Sequence, residues 1–146
     1  PPPTPRPSSA ASDVYKRQLD KDIELEIKII DEICIMGNSV LLGWVLENLI
    51  RNGIDSIKKE NGKVQIIVRA INEFGCIYIK DNGKGINKKD WKNVFKPGFS
   101  SKKRGWGLGL SLVQRIIEEI HRGSIFVKSS SASDGTVFQI KLNQQR

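Results

Sequence analysis

From residue 23 onward the apolar positions follow two periods. Ile23, Leu25, Ile27 and Ile29 alternate with charged residues, which predicts a strand with one buried face. Residues 33–36 predict a second short strand. Asn38 or Ser39 can cap a helix after it, because a short side-chain oxygen accepts from the free amides of a first helical turn. The helix is expected to run to about Lys59 and to stop at the Asn61-Gly62 turn signal. At about 100° per residue, Leu42, Leu46, Leu49, Ile50, Gly53 and Ile57 share its core stripe. Asn48, Asn52 and Asp55 share a face beside that stripe. A polar trio next to an apolar stripe suits the wall of a pocket.

Residues 63–71 and 74–80 are rich in Ile and Val and predict paired strands joined at Asn72-Glu73. A glycine-rich loop, Asp81-Asn82-Gly83-Lys84-Gly85, leaves the second of them. Residues 88–94 predict a short helix. Residues 96–107 lack periodicity and predict a loop. Leu108, Leu112, Ile116 and Ile120 predict a second helix, and residues 124–128 and 136–142 a closing strand pair. Strand, helix, two strands, loop, helix, two strands is the order of an α/β (α+β) sandwich, a mixed sheet with helices on one face.

Residues 1–18 differ in kind. They hold five of the six prolines and no apolar period, so they bury too little area to offset their ordering entropy. They are expected to be a disordered tail, a linker remnant or extraneous sequence, leaving 19–146 as one domain. The whole chain has 146 residues, 38% apolar and 27% charged, which is enough for one core. No stretch reaches the roughly 18 apolar residues of a membrane span, and no signal peptide is visible. The expectation is a cytoplasmic domain without membrane contact. Cys34 and Cys76 lack metal-ligand spacing and sit in apolar runs, so both are read as reduced core thiols. The net charge of +8 suits an anionic partner: nucleic acid, an acidic protein face or a phosphorylated ligand. Charge alone does not choose among them.

Two glycine-rich segments carry candidate chemistry. In Asp81-Asn-Gly83-Lys-Gly85-Ile86 a strand-end carboxylate could accept from a ligand amine, and the glycines let backbone come close to that ligand. In Gly105-Trp-Gly107-Leu108-Gly109-Leu110 the amides opening a helix could meet a phosphate. Each alone is an ordinary turn motif. Neither is a Walker A loop or a dinucleotide fingerprint.

Their combination is more specific. Asn48-x-x-x-Asn52 on a helix precedes Asp81-x-Gly83-x-Gly85, then the basic Ser100-Ser101-Lys102 segment, then Gly105-x-Gly107-Leu108-Gly109-Leu110. This order and spacing resemble the Bergerat ATP-binding fold of the GHKL superfamily over about residues 22–143. Within it the chain is similar to the catalytic domains of bacterial two-component sensor histidine kinases. Residues 44–55 resemble the N box, 81–86 the G1 box, 94–102 the F box and 105–110 the G2 box.

The resemblance implies ATP and Mg²⁺ as ligands. Asn52 would hold the metal, with Asn48 supporting the metal or the phosphates and Asp55 on the same wall. Asp81 would accept from the adenine amino group, with Gly83, Gly85 and Ile86 passing beneath the base. Phe95, Ser101, Lys102, Gly105, Gly107, Leu108, Gly109 and Leu110 would complete the lid and phosphate loop, with Lys102 reaching the phosphates. Thr136 would place a hydroxyl near the adenine. Asn48, Asn52 and Lys102 are the expected catalytic residues.

The resemblance also implies partners: a histidine on a separate dimerisation domain and, indirectly, a response regulator, with no nucleic acid. Hydrolytic members of the superfamily carry a Glu where this chain has Asn48, and Glu47 lies about 100° around the helix from it. That departure favours phosphotransfer over hydrolysis. A stand-alone hydrolytic ATPase and a degenerate basic binding module are the alternatives. The sole histidine, His121, is read as a helix-terminal residue rather than a phosphoacceptor.

Overall fold

The computed structural model describes residues 22–58, 60–99 and 109–145, together with the backbone of 14–18. Asp22–Ile29 (β2), Gly62–Ile71 (β3), Phe74–Asp81 (β4), Ser124–Ser131 (β5) and Gly135–Asn143 (β6) agree with the predicted strands to within a few residues. Val14–Gln18 (β1) adds a sixth, and the order across the sheet is β1-β2-β3-β4-β6-β5. β2 and β3 pair in parallel and every other pair is antiparallel. A parallel pair needs a crossover between its strands, and the helix Ser39–Ser56 (α1) supplies it.

β1 lies within residues 1–18, for which the apolar pattern predicts no strand. Without it β2 would be an edge strand with a row of unpaired amides and carbonyls. The antiparallel ladder from Val14–Glu26 to Gln18–Asp22 satisfies them. Apolar periodicity does not register such backbone pairing.

The strand expected at residues 33–36 is not formed. After β2, the Ile30 and Asp31 amides both donate to Val68 O, at 2.8 and 3.3 Å, which turns the chain off the ladder. Asp31 Oδ2 then accepts from Ala70 N at 2.9 Å, so a side chain replaces the next ladder bond. Ile33 and Ile35 still lie on one side, over Gly75. Cys34 between them is exposed, and only Cys76 is the core thiol expected.

Asn38 caps α1, its Oδ1 accepting from Leu41 N at 3.0 Å. The helix ends at Ser56, three residues before the expected Lys59, where Ile57 turns extended and is fully buried. Its deepest line is Val45, Leu49 and Gly53, spaced by four. Leu42 and Leu46 of the expected stripe are half-buried. The second helix is Gly109–Arg115 (α2), continued by a π-turn over Ile116–Ile120. Val113, Ile116 and Ile117 are its buried apolar residues, whereas Leu112 and Ile120 of the expected stripe are exposed; Leu108 lies outside the described residues. Two overlapping apolar spacings run along this segment, and packing on the sheet selects the one through Val113. Residues 88–95 form two 3-10 turns, Lys88–Asp90 and Asn93–Phe95, in place of one short helix.

The core lies between the helices and one face of the sheet, around Val45, Leu49, Val64, Ile79, Ile117 and Phe138. No helix among the described residues is long and apolar enough to cross a membrane.

Candidate functional site

Asp81 ends β4 on the helix-facing side and is 4% exposed. Its Oδ1 accepts from Gly83 N at 2.8 Å, an Asx-type turn that starts the glycine loop. Ser56 Oγ, at the last turn of α1, lies 3.3 Å from the same oxygen and donates to Gly53 O at 2.8 Å. Burial raises the Asp81 carboxyl above its ordinary value of 3.8; the amides of Gly83 and Thr136 and the Ser56 hydroxyl pull it part of the way back. These donors are all neutral. A carboxylate held this way favours a further donor, such as a heteroaromatic amino group.

The loop after Asp81 is packed too tightly for side chains. A Cβ on Gly83 would stand 2.0 Å from Ser56 Oγ. Gly85 has φ +81°, and a Cβ there would stand 2.4 Å from Ser131 O. Asn82 is structural: its Oδ1 accepts from Lys63 N at 2.8 Å and its Nδ2 donates to Asn61 O at 3.0 Å. Ile86 N donates to Ser130 Oγ at 2.6 Å, and Ser130 Oγ lies 2.8 Å from Thr136 Oγ1. Thr136, 4% exposed, is the register partner of Asp81 across β4 and β6. A shallow depression beside the carboxylate is lined by Ser56, Lys58, Asn82, Gly83, Lys84 and Ala132.

α1 supplies the opposite wall. Asn48, Asn52 and Asp55 are half-buried on it. A Cβ on Gly53 would stand 3.3 Å from Asp81 Cβ, so helix and carboxylate are in near contact. A Cβ on Gly109 would stand 2.8 Å from Asn48 Oδ1, which places the start of α2 against the same wall. Asn48, Asn52, Asp81, Gly83, Gly85, Ile86, Gly109 and Thr136 thus belong to adjoining parts of one region, and Leu110 packs on the core behind it.

Phe95, expected to help complete the lid, is buried in the core, its ring edge-on to Phe138 at 6.0 Å. Phe99, four residues on, is 43% exposed. Ser101, Lys102, Gly105, Gly107 and Leu108 lie outside the described residues. Ser56 and Ser130 were not singled out by sequence. Ser56 continues the four-residue spacing of Asn48 and Asn52, a signal that could have found it. Ser130 carries no such signal.

Glu47 is a solvent-side carboxylate 3.6 Å from Arg51, with both side chains more than 60% exposed. His121 is buried, and both ring nitrogens bond backbone: Nε2 to Asn38 N at 3.0 Å and Nδ1 to Ile116 O at 2.9 Å. The helix-terminal reading of this residue fits that geometry.

Residues 37–146 match the family described as histidine kinase-, DNA gyrase B-, and HSP90-like ATPase. Sporulation kinase C of Bacillus subtilis is 37% identical over 120 residues, 82% of this chain and 27% of that protein. Among solved structures, the mycobacterial sensor histidine kinase MprB superposes with a TM-score of 0.75 at 26% identity, over 84% of each chain. The histidine kinase ThkA, solved in complex with the response regulator protein TrrA, gives 0.67 at 25% identity over 83% of this chain and 33% of that one. The chain spans only 27% of sporulation kinase C and 16% of the related sporulation kinase E. On the match of residues 37–146, and on relatives in both sequence and structure, the chain belongs to the family of histidine kinase-, DNA gyrase B- and HSP90-like ATPases.

Proposed function

We propose that this chain is the catalytic ATP-binding domain of a sensor histidine kinase. It binds Mg-ATP between α1 and the glycine segments and presents the γ-phosphate to a histidine on a separate helical dimerisation domain. The observation that carries this reading is Asp81: a buried carboxyl at a strand end, held among the described residues by neutral donors and shifted upward by burial.

Asp81 accepts from the adenine amino group, while Gly83 and Gly85 bring the loop close beneath the base. Ser130 and Thr136 fix the Ile86 end of that loop. Asn52, with Asn48, offers amide oxygens to a magnesium ion that the phosphates would largely ligate, which suits a hard cation that keeps oxygen ligands and water. Among the described residues no cluster of three His, Cys, Asp or Glu side chains competes for that ion. The metal supplies charge neutralisation at the phosphates; the chain supplies positioning, the main protein contribution to phosphoryl transfer. Lys102 and the amides of Gly105, Gly107 and Gly109 would complete the phosphate contacts.

Two observations favour transfer over hydrolysis. Asn48 stands where a hydrolytic relative would carry a base, and Glu47 is turned to solvent against Arg51. The acceptor would lie outside His121, whose ring nitrogens are both engaged. The test supplies the parent protein's histidine-bearing domain in trans with labelled Mg-ATP. Acid-labile phosphohistidine on that domain, with little phosphate released by this chain alone, is the expected result. Steady phosphate release by this chain alone, lost in Glu47→Ala, would establish the hydrolytic reading instead.

A further inference from the structure

α1 and α2 run antiparallel and meet at two places. Near the middle of α1, Asn48 Oδ1 sits against Gly109 at the start of α2. At the other end, His121 follows the π-turn of α2 and reaches the N-cap of α1. Asn38 N must donate, so Nε2 of the imidazole accepts at 3.0 Å and is unprotonated. The proton therefore sits on Nδ1, which donates to Ile116 O at 2.9 Å. The same carbonyl accepts His121 N at 3.1 Å, the i to i+5 bond of the π-turn. Gly37 leaves room for the ring: a Cβ there would stand 2.6 Å from the imidazole. A buried ring with both nitrogens bonded to backbone of two different helices is a fixed spacer.

We infer that His121 is a positioning residue for the nucleotide site: its Nδ1–H tautomer ties the Asn38 end of α1 to the end of α2 and thereby sets where Asn48 and Asn52 stand relative to Gly109. From Asn38 to Asn48 the helix rises about 15 Å. A rigid α1 pinned at Asn38 cannot slide along its axis at Asn48 without stretching the imidazole bond. The inference rests on the ATP-binding reading above, and the experiment separates the two.

Two near-isosteric variants divide the role. The amide of His121→Gln reaches as far as Nε2 and can still accept from Asn38 N. His121→Asn is shorter: it can replace Nδ1 at Ile116 O but leaves Asn38 N unbonded. Both are polar and fit the same space. Three readouts are taken well below the unfolding temperature: the imidazole tautomer by nitrogen NMR, the Asn48 and Asn52 side-chain and Gly109 backbone amide signals without nucleotide, and Mg-ATP affinity by calorimetry. The inference predicts the Nδ1–H tautomer in the wild type. In His121→Asn it predicts shifted Asn48, Asn52 and Gly109 signals and an affinity about tenfold weaker, the usual scale for a residue that orients a ligand-binding group. In His121→Gln both return toward wild type.

An Nε2–H tautomer, or unchanged signals and affinity in His121→Asn, would overturn the inference while leaving the ATP-binding reading intact. Equal losses in Asn and Gln variants would also overturn it, since general destabilisation would then explain both. A folded wild type that does not bind Mg-ATP would overturn the nucleotide reading, and this inference with it.

Discussion

Asp81 and Thr136 face each other in register across β4 and β6, and the Thr136 amide donates to the Asp81 carboxyl while its hydroxyl lies 2.8 Å from Ser130 Oγ. The pairing joins the base-recognition carboxylate to the network that holds the Ile86 end of the glycine loop. Each end of that loop is therefore anchored by a different strand.

Acid should act on binding and on stability in opposite directions through Asp81. Burial raises its carboxyl above 3.8, so the folded domain holds this proton more tightly than the unfolded chain does. Its contribution to nucleotide-free stability is full below 3.8 and is lost as pH rises through the raised value. Adenine recognition needs the ionised form, so Mg-ATP affinity is full above the raised value and falls as pH drops through it. Calorimetric titrations across that range, with thermal melts of the nucleotide-free protein, check both slopes.

Ser130→Ala removes the acceptor of Ile86 N and the partner of Thr136 Oγ1 together. Leaving half-buried polar groups unpaired costs about 1–3 kcal/mol. The expected outcome is a lower melting temperature and faster hydrogen exchange at Ile86. An unchanged exchange rate there would argue against Ser130 as the loop's anchor.

Gly109→Ala and Gly85→Ala should fail in different ways. At Gly109 the new methyl meets the far end of the Asn48 side chain, which can move aside. The variant is expected to fold but to bind Mg-ATP about tenfold more weakly, on the scale of a displaced ligand-orienting group. At Gly85 the methyl meets the Ser131 carbonyl, and φ is +81°. A left-handed conformation alone costs an L residue roughly 1–2 kcal/mol, and the backbone contact adds to that. A clear loss of stability, read by denaturant unfolding, is expected.

Glu47→Ala should change little. An exposed pair such as Glu47–Arg51 contributes about 0.3–0.5 kcal/mol at most, and Mg-ATP affinity should stay at the wild-type value. Loss of nucleotide turnover in this variant would contradict the phosphotransfer reading.

Much of this site was legible in the sequence because its parts are local. A carboxylate closing a strand, glycines two residues apart, and asparagines four apart on a helix each have a physical meaning within one short segment. Ser130 was not legible. A register shift between Val127 and Ser129 in β5 brings Ser130 opposite Thr136, and such a bulge leaves no apolar signature. β1 was missed for the same reason, since backbone pairing rather than side-chain burial places it beside β2. The second helix was found, but its face was misassigned. Leu112 and Val113 both fit a helical stripe, and only packing against the sheet separates the exposed one from the buried one.

The nucleotide site turns on Asp81 recognising the base of a bound Mg-ATP. Titration of Mg-ATP into the wild type and into Asp81→Asn, with the fold of each followed by circular dichroism, tests it most directly. Magnesium-dependent binding by the wild type and none by a folded Asp81→Asn is the expected result. Equal affinity in the two folded proteins would contradict it.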